Sequence, residues 1–232
     1  MSSNIFRRTN LLLGNSGFNR VRQAHVAVVG CGAVGGFAVE ALARAGIGKL
    51  TLIDGDVVEE SNINRQLCAL NSTLNQNKAE ILKKRIQDIC PETRVETHPV
   101  FFSAENAGEL LADTPDFVID AIDIFKDKVA LILFLQRKNI PFISAMGAAR
   151  KTDWRQIKVA GLNQTKVCPL AARLRKELKK QGADLSFPCV YSTEVPENAQ
   201  APDREMGSLV TITGAFGLII ANEVILRIAR HV

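Results

Sequence analysis

The stretch that decides the fold is His25-Val26-Ala27-Val28-Val29-Gly30-Cys31-Gly32-Ala33-Val34-Gly35, an apolar run that leads into a glycine loop. The run predicts a buried strand, the loop a tight turn, and the residues from 34 onward a helix. Gly30, Gly32 and Gly35 let backbone N–H groups approach a ligand, and the helix end offers unpaired donors to phosphate oxygens. Taken alone, such a loop is typical of a dinucleotide-binding site.

The same alternation of strand and helix patterns continues on both sides of the loop. Residues 5–23 predict two short helices joined near Gly14, with the leucines of the run 11–13 as anchors. Apolar runs followed by amphipathic stretches indicate βαβ units and a parallel sheet. The predicted strands are 26–29, 49–53, 94–98, 117–121 and 141–145, and the predicted helices between them are 34–45, 76–89, 104–112 and 125–138.

Beyond Gly147 the pattern changes. Strands are expected near 156–162 and 189–193, a basic helix at 169–181, a polar loop at 196–205 and a final apolar helix at 214–229. We interpret these as additions to one domain that spans residues 1–232. The fold class is therefore predicted as α/β, a doubly wound, Rossmann-like, mainly parallel sheet with N-terminal helices and a C-terminal extension.

Length, cysteine spacing and charge limit the classes of protein to which this chain can belong. The chain has 232 residues, enough to bury a core without disulfides, and its five cysteines form no C-x-x-C pair, which argues against a zinc site or a dithiol switch. No apolar stretch has the length of a membrane span, and the first eight residues lack the apolar core of a signal peptide. We expect a cytoplasmic protein that does not contact a membrane. The net charge of +5 permits a polyanionic partner.

Polar residues at strand ends distinguish ATP from NAD. Asp54 ends the second predicted strand, where a carboxylate can accept hydrogen bonds from ribose hydroxyls of either nucleotide. Arg65, in Ser61-Asn62-Ile63-Asn64-Arg65-Gln66, and Lys78 supply positive charge that a triphosphate needs and hydride transfer does not. Asn62, one helical turn before Arg65, can donate an amide N–H to the same phosphates.

Asp123 lies just past the fourth predicted strand, where a carboxylate can hold magnesium against phosphates. A simpler interpretation is that Arg65 and Lys78 are surface residues and that Asp120 or Asp123 caps the next helix. Because the polar candidates all fall at strand ends on one edge of the sheet, the sequence favours ATP binding with magnesium.

Together the glycine loop, Asp54, the run 62–66, Lys78 and Asp123 resemble the ubiquitin-activating-enzyme-like adenylyltransferases that also serve sulfur-carrier proteins. Within that superfamily, three segments resemble the tRNA threonylcarbamoyladenosine dehydratases: Phe6-Arg7-Arg8-Thr9-Asn10-Leu11-Leu12-Leu13-Gly14, Val167-Cys168-Pro169-Leu170-Ala171 and Val190-Tyr191-Ser192-Thr193-Glu194. The resemblance covers nearly the whole chain.

The resemblance implies that Asp54 holds the ATP ribose, that Asn62, Arg65 and Lys78 hold the phosphates, and that Asp123 holds magnesium. It implies that Arg8 reaches the ATP of a partner protomer in a homodimer, although the residue alone is equally a surface charge beside Arg7. The implied reaction activates the carboxylate of threonylcarbamoyladenosine in tRNA as an acyl-adenylate. The carbamoyl nitrogen of the same side chain then closes a ring and expels AMP, so proximity replaces a protein nucleophile.

Three other functions stay open. Adenylation of a ubiquitin-like protein for sulfur transfer would need a sulfur-relay or carrier partner, and the missing C-x-x-C pairs count against it. Some dehydratase relatives carry a thiol where this chain has Met206-Gly207-Ser208, so persulfide transfer there is in doubt. An NAD-dependent oxidoreductase and a nucleotide-sensing interaction protein are the remaining alternatives.

Two stretches are candidates for contact with tRNA. The basic helix leaves Lys176, Lys179 and Lys180 exposed if its leucines form the buried stripe, and such charges suit a phosphate backbone. An ordinary solvated helix face explains them equally well. Arg150 and Lys151, just after the fifth strand, are closer to the expected site and are slightly preferred.

Overall fold

A computed structural model describes residues 4–195 and 206–230 of the chain. Within these residues the strands are β1 (His25–Val29), β2 (Lys49–Ile53), β3 (Arg94–His98), β4 (Phe117–Asp120), β5 (Phe142–Ala145), β6 (Ile157–Gly161) and β7 (Pro188–Ser192). The α-helices are α1 (Arg7–Gln23), α2 (Gly35–Ala45), α3 (Lys78–Ile89), α4 (Ala107–Leu110), α5 (Phe125–Lys138), α6 (Pro169–Lys180) and α7 (Val210–Arg230). The loop predicted at 196–205 lies outside the described residues.

All of these strands join one sheet in the order β3-β2-β1-β4-β5-β7-β6. Neighbouring strands run parallel, except that β6 pairs antiparallel with β7 at the edge. Val29 lies beside Ile53 on one side and beside Asp120 on the other, so β1, β2 and β4 end at the same edge. The predicted fold class, a doubly wound and mainly parallel α/β sheet, is confirmed.

Helices cover both faces because the central strands are apolar on both sides. One hydrophobic cluster joins the inner sides of α2, α3 and α7 to Val26 and Val28, and a second joins α5 and α6 to Ala27 and Val29. The helix that follows β1 therefore lies on one face, and the helix that follows β4 lies on the other. Successive strands are added to one side of β1 up to β3 and to the other side from β4 onward. Doubly wound folds form their ligand crevice at this switch in strand order.

The long helix α7 packs tightly against α2. A Cβ placed on Gly217 would lie 2.3 Å from the carbonyl oxygen of Val34 and 2.8 Å from Cβ of Phe37, so only glycine fits there. Among the described residues, α7 is the one helix whose length and mean hydropathy of 1.6 would suit a membrane span, so the expectation that no apolar stretch has that length was wrong. Half of that apolar window is buried against the rest of the protein.

Two details differ from the sequence expectation. Helix α4 spans four residues, whereas 104–112 was expected, because the preceding turn is fixed by Asn106, whose side chain accepts from the N–H of Ser103 and donates to the carbonyl of Phe101. Helix α1 is interrupted at Gly14, as expected, but Leu11 and Leu12 are 75% and 84% exposed. The prediction that these two leucines anchor the helix was wrong for the isolated chain.

Candidate active site

Two glycines of the loop are required by the protein's own backbone. Gly30 has φ of +92°, and a Cβ there would lie 2.6 Å from the carbonyl oxygen of Ala121. A Cβ on Gly35 would lie 1.8 Å from the carbonyl oxygen of Gly30. The strand, the turn and the start of α2 can approach one another this closely only without side chains.

Gly32 is different, because nothing in the described chain requires a glycine at that position. Its φ lies outside the left-handed region, and the atoms nearest to an added Cβ are those of the Gln66 side chain, at 3.9 Å. A side chain there would project into open space at the carboxyl edge of the sheet. The bare backbone of Gly32 therefore leaves room for a ligand to approach the loop.

Asp54 fastens the end of β2 to this loop. Its Oδ2 accepts a hydrogen bond from the backbone N–H of Cys31 at 2.6 Å, and its Oδ1 accepts one from Asp56 at 2.8 Å. Burial raises the pKa of Asp54, and these two N–H donors act in the opposite direction. Each carboxylate oxygen keeps a free lone pair, so Asp54 can still accept hydrogen bonds from sugar hydroxyls.

Lys78 is the first residue of α3, which starts there because the Asn77 side chain accepts hydrogen bonds from the N–H groups of Ala79 and Glu80. The lysine side chain is buried, and its Nζ lies 2.8 Å from Oδ2 of Asp56. Asp56 is half exposed. An anionic ligand in the crevice would thus meet a buried ammonium whose present partner can turn towards solvent.

The segment before α3 carries Asn62 and Arg65, and the residue that follows them, Gln66, lies beside Gly32 of the loop. Asn62 is buried in a short 3-10 turn, where its Oδ1 accepts from the N–H of Glu59 at 3.2 Å. Arg65 is half exposed, and its Nη1 donates to the carbonyl of Ser61 and to Oδ1 of Asn64, both at 2.8 Å. Its other guanidinium nitrogens form no hydrogen bond with the described residues.

Gln66 carries a signal that sequence reasoning did not use. The residue is buried, lies beside Gly32, and its Oε1 has no hydrogen-bond partner among the described residues. Leaving a buried acceptor unpaired costs about 1–3 kcal/mol, which a ligand donor would recover. The position of Gln66 next to Arg65 was the available hint, because both belong to one polar run at a strand edge.

Asp120, at the end of β4, forms a buried charged cluster that the sequence analysis missed. Lys128 of α5 and Asp120 are both fully buried, and Lys128 Nζ lies 2.8 Å from Asp120 Oδ2. Ser144 of β5 donates its hydroxyl to the same oxygen at 2.5 Å, and the N–H of Ile122 donates to Oδ1 at 3.1 Å. The cluster ties β4, β5 and α5 together at the point where Asp123 emerges.

Asp123 itself is exposed and forms no hydrogen bond with the described residues. Helix α5 begins after Ile124 without a side-chain cap, so the interpretation of Asp120 or Asp123 as its cap is wrong. No group of three or more metal-ligating His, Cys, Asp or Glu side chains exists in residues 4–195 and 206–230. A metal at Asp123 would therefore take most of its ligands from phosphate and water.

The glycine loop is the centre of these contacts. Gly30 touches Ala121, Cys31 is hydrogen-bonded to Asp54, and Gly32 lies beside Gln66. The structure thus gathers the segments that carry Asp54, Asn62, Arg65 and Asp123 around one loop, with Lys78 next to Asp54. Arg8 is exposed on α1 and forms no hydrogen bond or ion pair within the described chain.

The thiols offer no activated nucleophile. All five cysteines are free and buried. Burial raises the pKa of Cys31 in the glycine loop well above its usual value and raises the pKa of Cys68 to about 11. Because the thiolate is the reactive form, these side chains are inert small apolar residues in the folded protein.

The buried cluster gives a first prediction. Replacing Lys128 by Met leaves the Asp120 carboxylate buried without its counter-charge, so we expect the free energy of unfolding to fall by about 3–5 kcal/mol. The control Lys126→Met changes an exposed lysine on the same helix and should stay within about 0.5 kcal/mol of the parent. Urea unfolding measures both, and equal stability of the two variants would show that the cluster contributes nothing.

Comparison with known proteins accounts for this arrangement. A family model described as the ThiF family matches residues 6–231. The tRNA threonylcarbamoyladenosine dehydratase of Bacillus subtilis is 40% identical over 191 residues, which cover 82% of this chain and 75% of that protein. The same-named protein of Haemophilus influenzae is 38% identical, covering 91% and 88%.

A solved structure agrees with these sequence relatives. The crystal structure of E. coli tRNA N6-threonylcarbamoyladenosine dehydratase in complex with ATP superposes with a TM-score of 0.91 at 36% identity, covering 97% of this chain and 94% of that one. The family model and these relatives match most of the chain. The chain belongs to the ThiF family.

Proposed function

We propose that this protein is an ATP-dependent tRNA threonylcarbamoyladenosine dehydratase. The observation that carries the proposal is the open approach to Gly32 beside the unpaired Oε1 of Gln66. Asp54 is bonded to the neighbouring Cys31, Lys78 is paired with Asp56, and Arg65 precedes Gln66 in the chain. Such a crevice suits a nucleoside triphosphate. The dehydratases of B. subtilis and H. influenzae, and the E. coli enzyme that binds ATP, support the choice of reaction.

In this proposal, different segments around the glycine loop hold different parts of ATP. The backbone N–H groups at the start of α2 receive phosphate oxygens, and Asp54 accepts hydrogen bonds from the ribose. Arg65 and Lys78 neutralise the phosphates, Arg65 as a planar fork and Lys78 as a point charge. Asn62 adds an amide donor by turning its nitrogen from the Ser61 hydroxyl, 3.3 Å away, towards the ligand.

Asp123 is the residue that would hold magnesium in this site. The residue fits a hard cation because it is an exposed carboxylate at the carboxyl edge, three residues after Asp120, which the buried pair with Lys128 holds in place. When bound, the ion would balance negative charge on the phosphates.

The chemistry then takes two steps. A carboxylate oxygen of the modified base attacks the α-phosphorus of ATP, and the bond to the bridging oxygen breaks, which yields an acyl-adenylate and pyrophosphate. The carbamoyl nitrogen of the same side chain attacks the activated acyl carbon, loses its proton and expels AMP. Because nucleophile and acyl group share one side chain, the step needs orientation rather than a protein nucleophile. The five cysteines are buried and offer no nucleophile, which agrees with such a mechanism.

Adenylation of a ubiquitin-like carrier protein would use the same first step. The five cysteines lack the paired C-x-x-C spacing of carrier activators, and cyclisation within one base requires no sulfur-relay or carrier partner. We therefore rank that function second. An NAD-dependent oxidoreductase ranks third, since hydride transfer does not need the positive charges of Arg65 and Lys78.

We further propose a cytoplasmic homodimer without membrane contact, formed by one domain over residues 1–232. Leu11 and Leu12 lie exposed on α1 next to Arg8, and a partner protomer would cover them. Such an interface would bring Arg8 towards the partner's ATP. The burial of half of the apolar window of α7 within the protein supports the absence of membrane contact.

The open face of Gly32 gives a second prediction. Gly32→Ala should leave the free energy of unfolding within about 0.5 kcal/mol, since the added Cβ meets no atom of the protein closer than 3.9 Å. It should weaken ATP binding about tenfold or more, because a phosphate can no longer approach the backbone. Gly108→Ala, on α4 with nothing within 4 Å, is the control. Parent-like ATP affinity in Gly32→Ala, measured by calorimetry, would contradict the assignment of the crevice.

The activity is tested with tRNA that carries threonylcarbamoyladenosine. With ATP and magnesium, we expect the cyclic base, AMP and pyrophosphate in equal amounts. Mass analysis of the tRNA nucleosides measures the cyclic base, and assay of the released products measures AMP and pyrophosphate. Arg65→Ala should lower the rate by about 100-fold to 1000-fold, the usual effect of losing one preorganised charge donor. Arg44→Ala, which removes an exposed guanidinium paired with Glu40 on α2, is the control.

Two results would count against this account. Absence of the cyclic base with the parent protein would reject the function, and pyrophosphate exchange dependent on a small carrier protein instead of tRNA would favour the second candidate. Parent-like turnover in Arg65→Ala would remove that residue from the mechanism.

A further inference from the structure

The positive charge of the protein is concentrated on two helices. Helices α5 and α6 together contain nine Lys or Arg and two Asp or Glu, a net charge of +7. The whole chain carries only +5, so the remainder is slightly acidic. A distribution this uneven is typical of a surface that binds a polyanion.

The two helices lie side by side on one face of the sheet. Leu131 and Leu135 of α5 share a buried cluster with Leu174 and Leu178 of α6. With these apolar sides packed inward, the basic side chains point outward. We call this surface the basic face; its exposed members are Lys126, Arg137, Lys138, Arg173, Lys176, Lys179 and Lys180.

Most of the basic face lacks internal neutralisation. Within the described residues, Lys180 is the member that forms an ion pair, at 3.4 Å from Glu177. Some basic side chains elsewhere are paired: Arg22 with Glu92, Arg44 and Arg85 with Glu40, and Lys49 with Asp113 and Glu96. The other six members form no ion pair within the described residues, so two neighbouring helices gather six exposed, unpaired charges on one surface.

The basic face begins at the candidate active site. Helix α5 starts at Phe125, two residues after Asp123, and the guanidinium carbon of Arg173 lies 3.8 Å from the centre of the Phe125 ring. This cation–π contact fixes the Arg173 end of α6 to the edge that holds the nucleotide. From Arg173 the face extends along α6 to Lys180, about 10 Å at 1.5 Å per residue.

The other stretch considered from the sequence is less suitable. Lys151 is buried, and its Nζ donates to the backbone carbonyl of Glu194. Arg150 is half-buried in a strained conformation with φ of +58°. Lys151 therefore has no free charge to offer a phosphate.

We propose that the basic face holds the phosphate backbone of the tRNA while the modified base reaches the nucleotide at the carboxyl edge. This inference rests on the proposed function and adds to it the surface that binds the body of the substrate. Phosphate contacts of this kind position a nucleic acid without reading its sequence. The modified base supplies the chemical selectivity.

The test removes three charges together. The variant Arg173→Gln, Lys176→Gln, Lys179→Gln changes exposed residues of α6 only, and the matched control Lys83→Gln, Lys84→Gln, Arg94→Gln removes three charges from α3 and β3 at the other end of the sheet. Fluorescence anisotropy measures tRNA binding against salt concentration without ATP. ATP affinity, measured on the same samples, reports that the site and the fold are intact.

We expect the salt slope of tRNA binding to become shallower by about 2 to 3, since each phosphate contact contributes about 0.7 to 0.9. The KM for tRNA should rise about 10-fold to 100-fold at moderate salt, with kcat at saturating tRNA and the affinity for ATP unchanged. The control variant should behave like the parent protein in every measurement.

An unchanged slope and KM in the α6 variant, or equal losses in both variants, would overturn the proposal. A further measurement tests binding to vesicles of anionic phosphatidylserine. If the α6 variant lost vesicle binding but bound tRNA like the parent protein, the proposal would also be overturned, because the face would then serve a lipid surface. Failure of the proposed function is recognised separately. In that case the parent protein would produce no cyclic base, whereas tRNA binding, which is measured without ATP, would still show whether the basic face contacts tRNA.

Discussion

The backbone contact between Gly30 and Gly35 is the constraint on which the site depends. Because neither residue has a side chain, the carbonyl of Gly30 can lie where a Cβ of Gly35 would be. That contact sets the start of α2 directly above the end of β1. Gly30 also touches Ala121, so the same turn fixes the crevice between β1 and β4. The exposed backbone of Gly32 is a consequence of this geometry.

Buried charge on either side of the loop gives the crevice its rigidity. Asp54 is hydrogen-bonded to the N–H groups of Cys31 and Asp56, and Asp120 is bonded to Lys128 and Ser144. Charged groups in a low-dielectric interior are costly to leave unpaired, so these contacts resist local rearrangement. Of the residues proposed to meet ATP, Asn62 and Lys78 are buried within this base, whereas Arg65, Asp123 and the basic residues proposed to meet tRNA are more exposed.

Much of the fold and part of the site were predictable from the sequence. The alternation of strand and helix patterns located every strand of the described residues. A carboxylate at a strand end pointed to Asp54, because parallel strands bring their carboxyl ends to one edge, and Lys78 was found at the start of the helix α3. Lys128 could not be found this way, since a lysine on a helix is usually exposed and its partner Asp120 is eight residues away. Lys151 likewise looked available to a phosphate, because the sequence does not show that its Nζ donates to the backbone carbonyl of Glu194, just after β7. Surface charge became informative only when α5 and α6 were seen side by side.

The central claim is that the crevice joins a carboxylate to the α-phosphorus of ATP. Labelling the threonylcarbamoyl carboxylate of the tRNA with oxygen-18 and analysing the nucleotide products by mass spectrometry tests this bond directly. We expect one labelled oxygen to leave in AMP, because the ring-closing nitrogen displaces the whole adenylate. Label appearing in inorganic phosphate together with ADP, or AMP formed without label, would contradict the account.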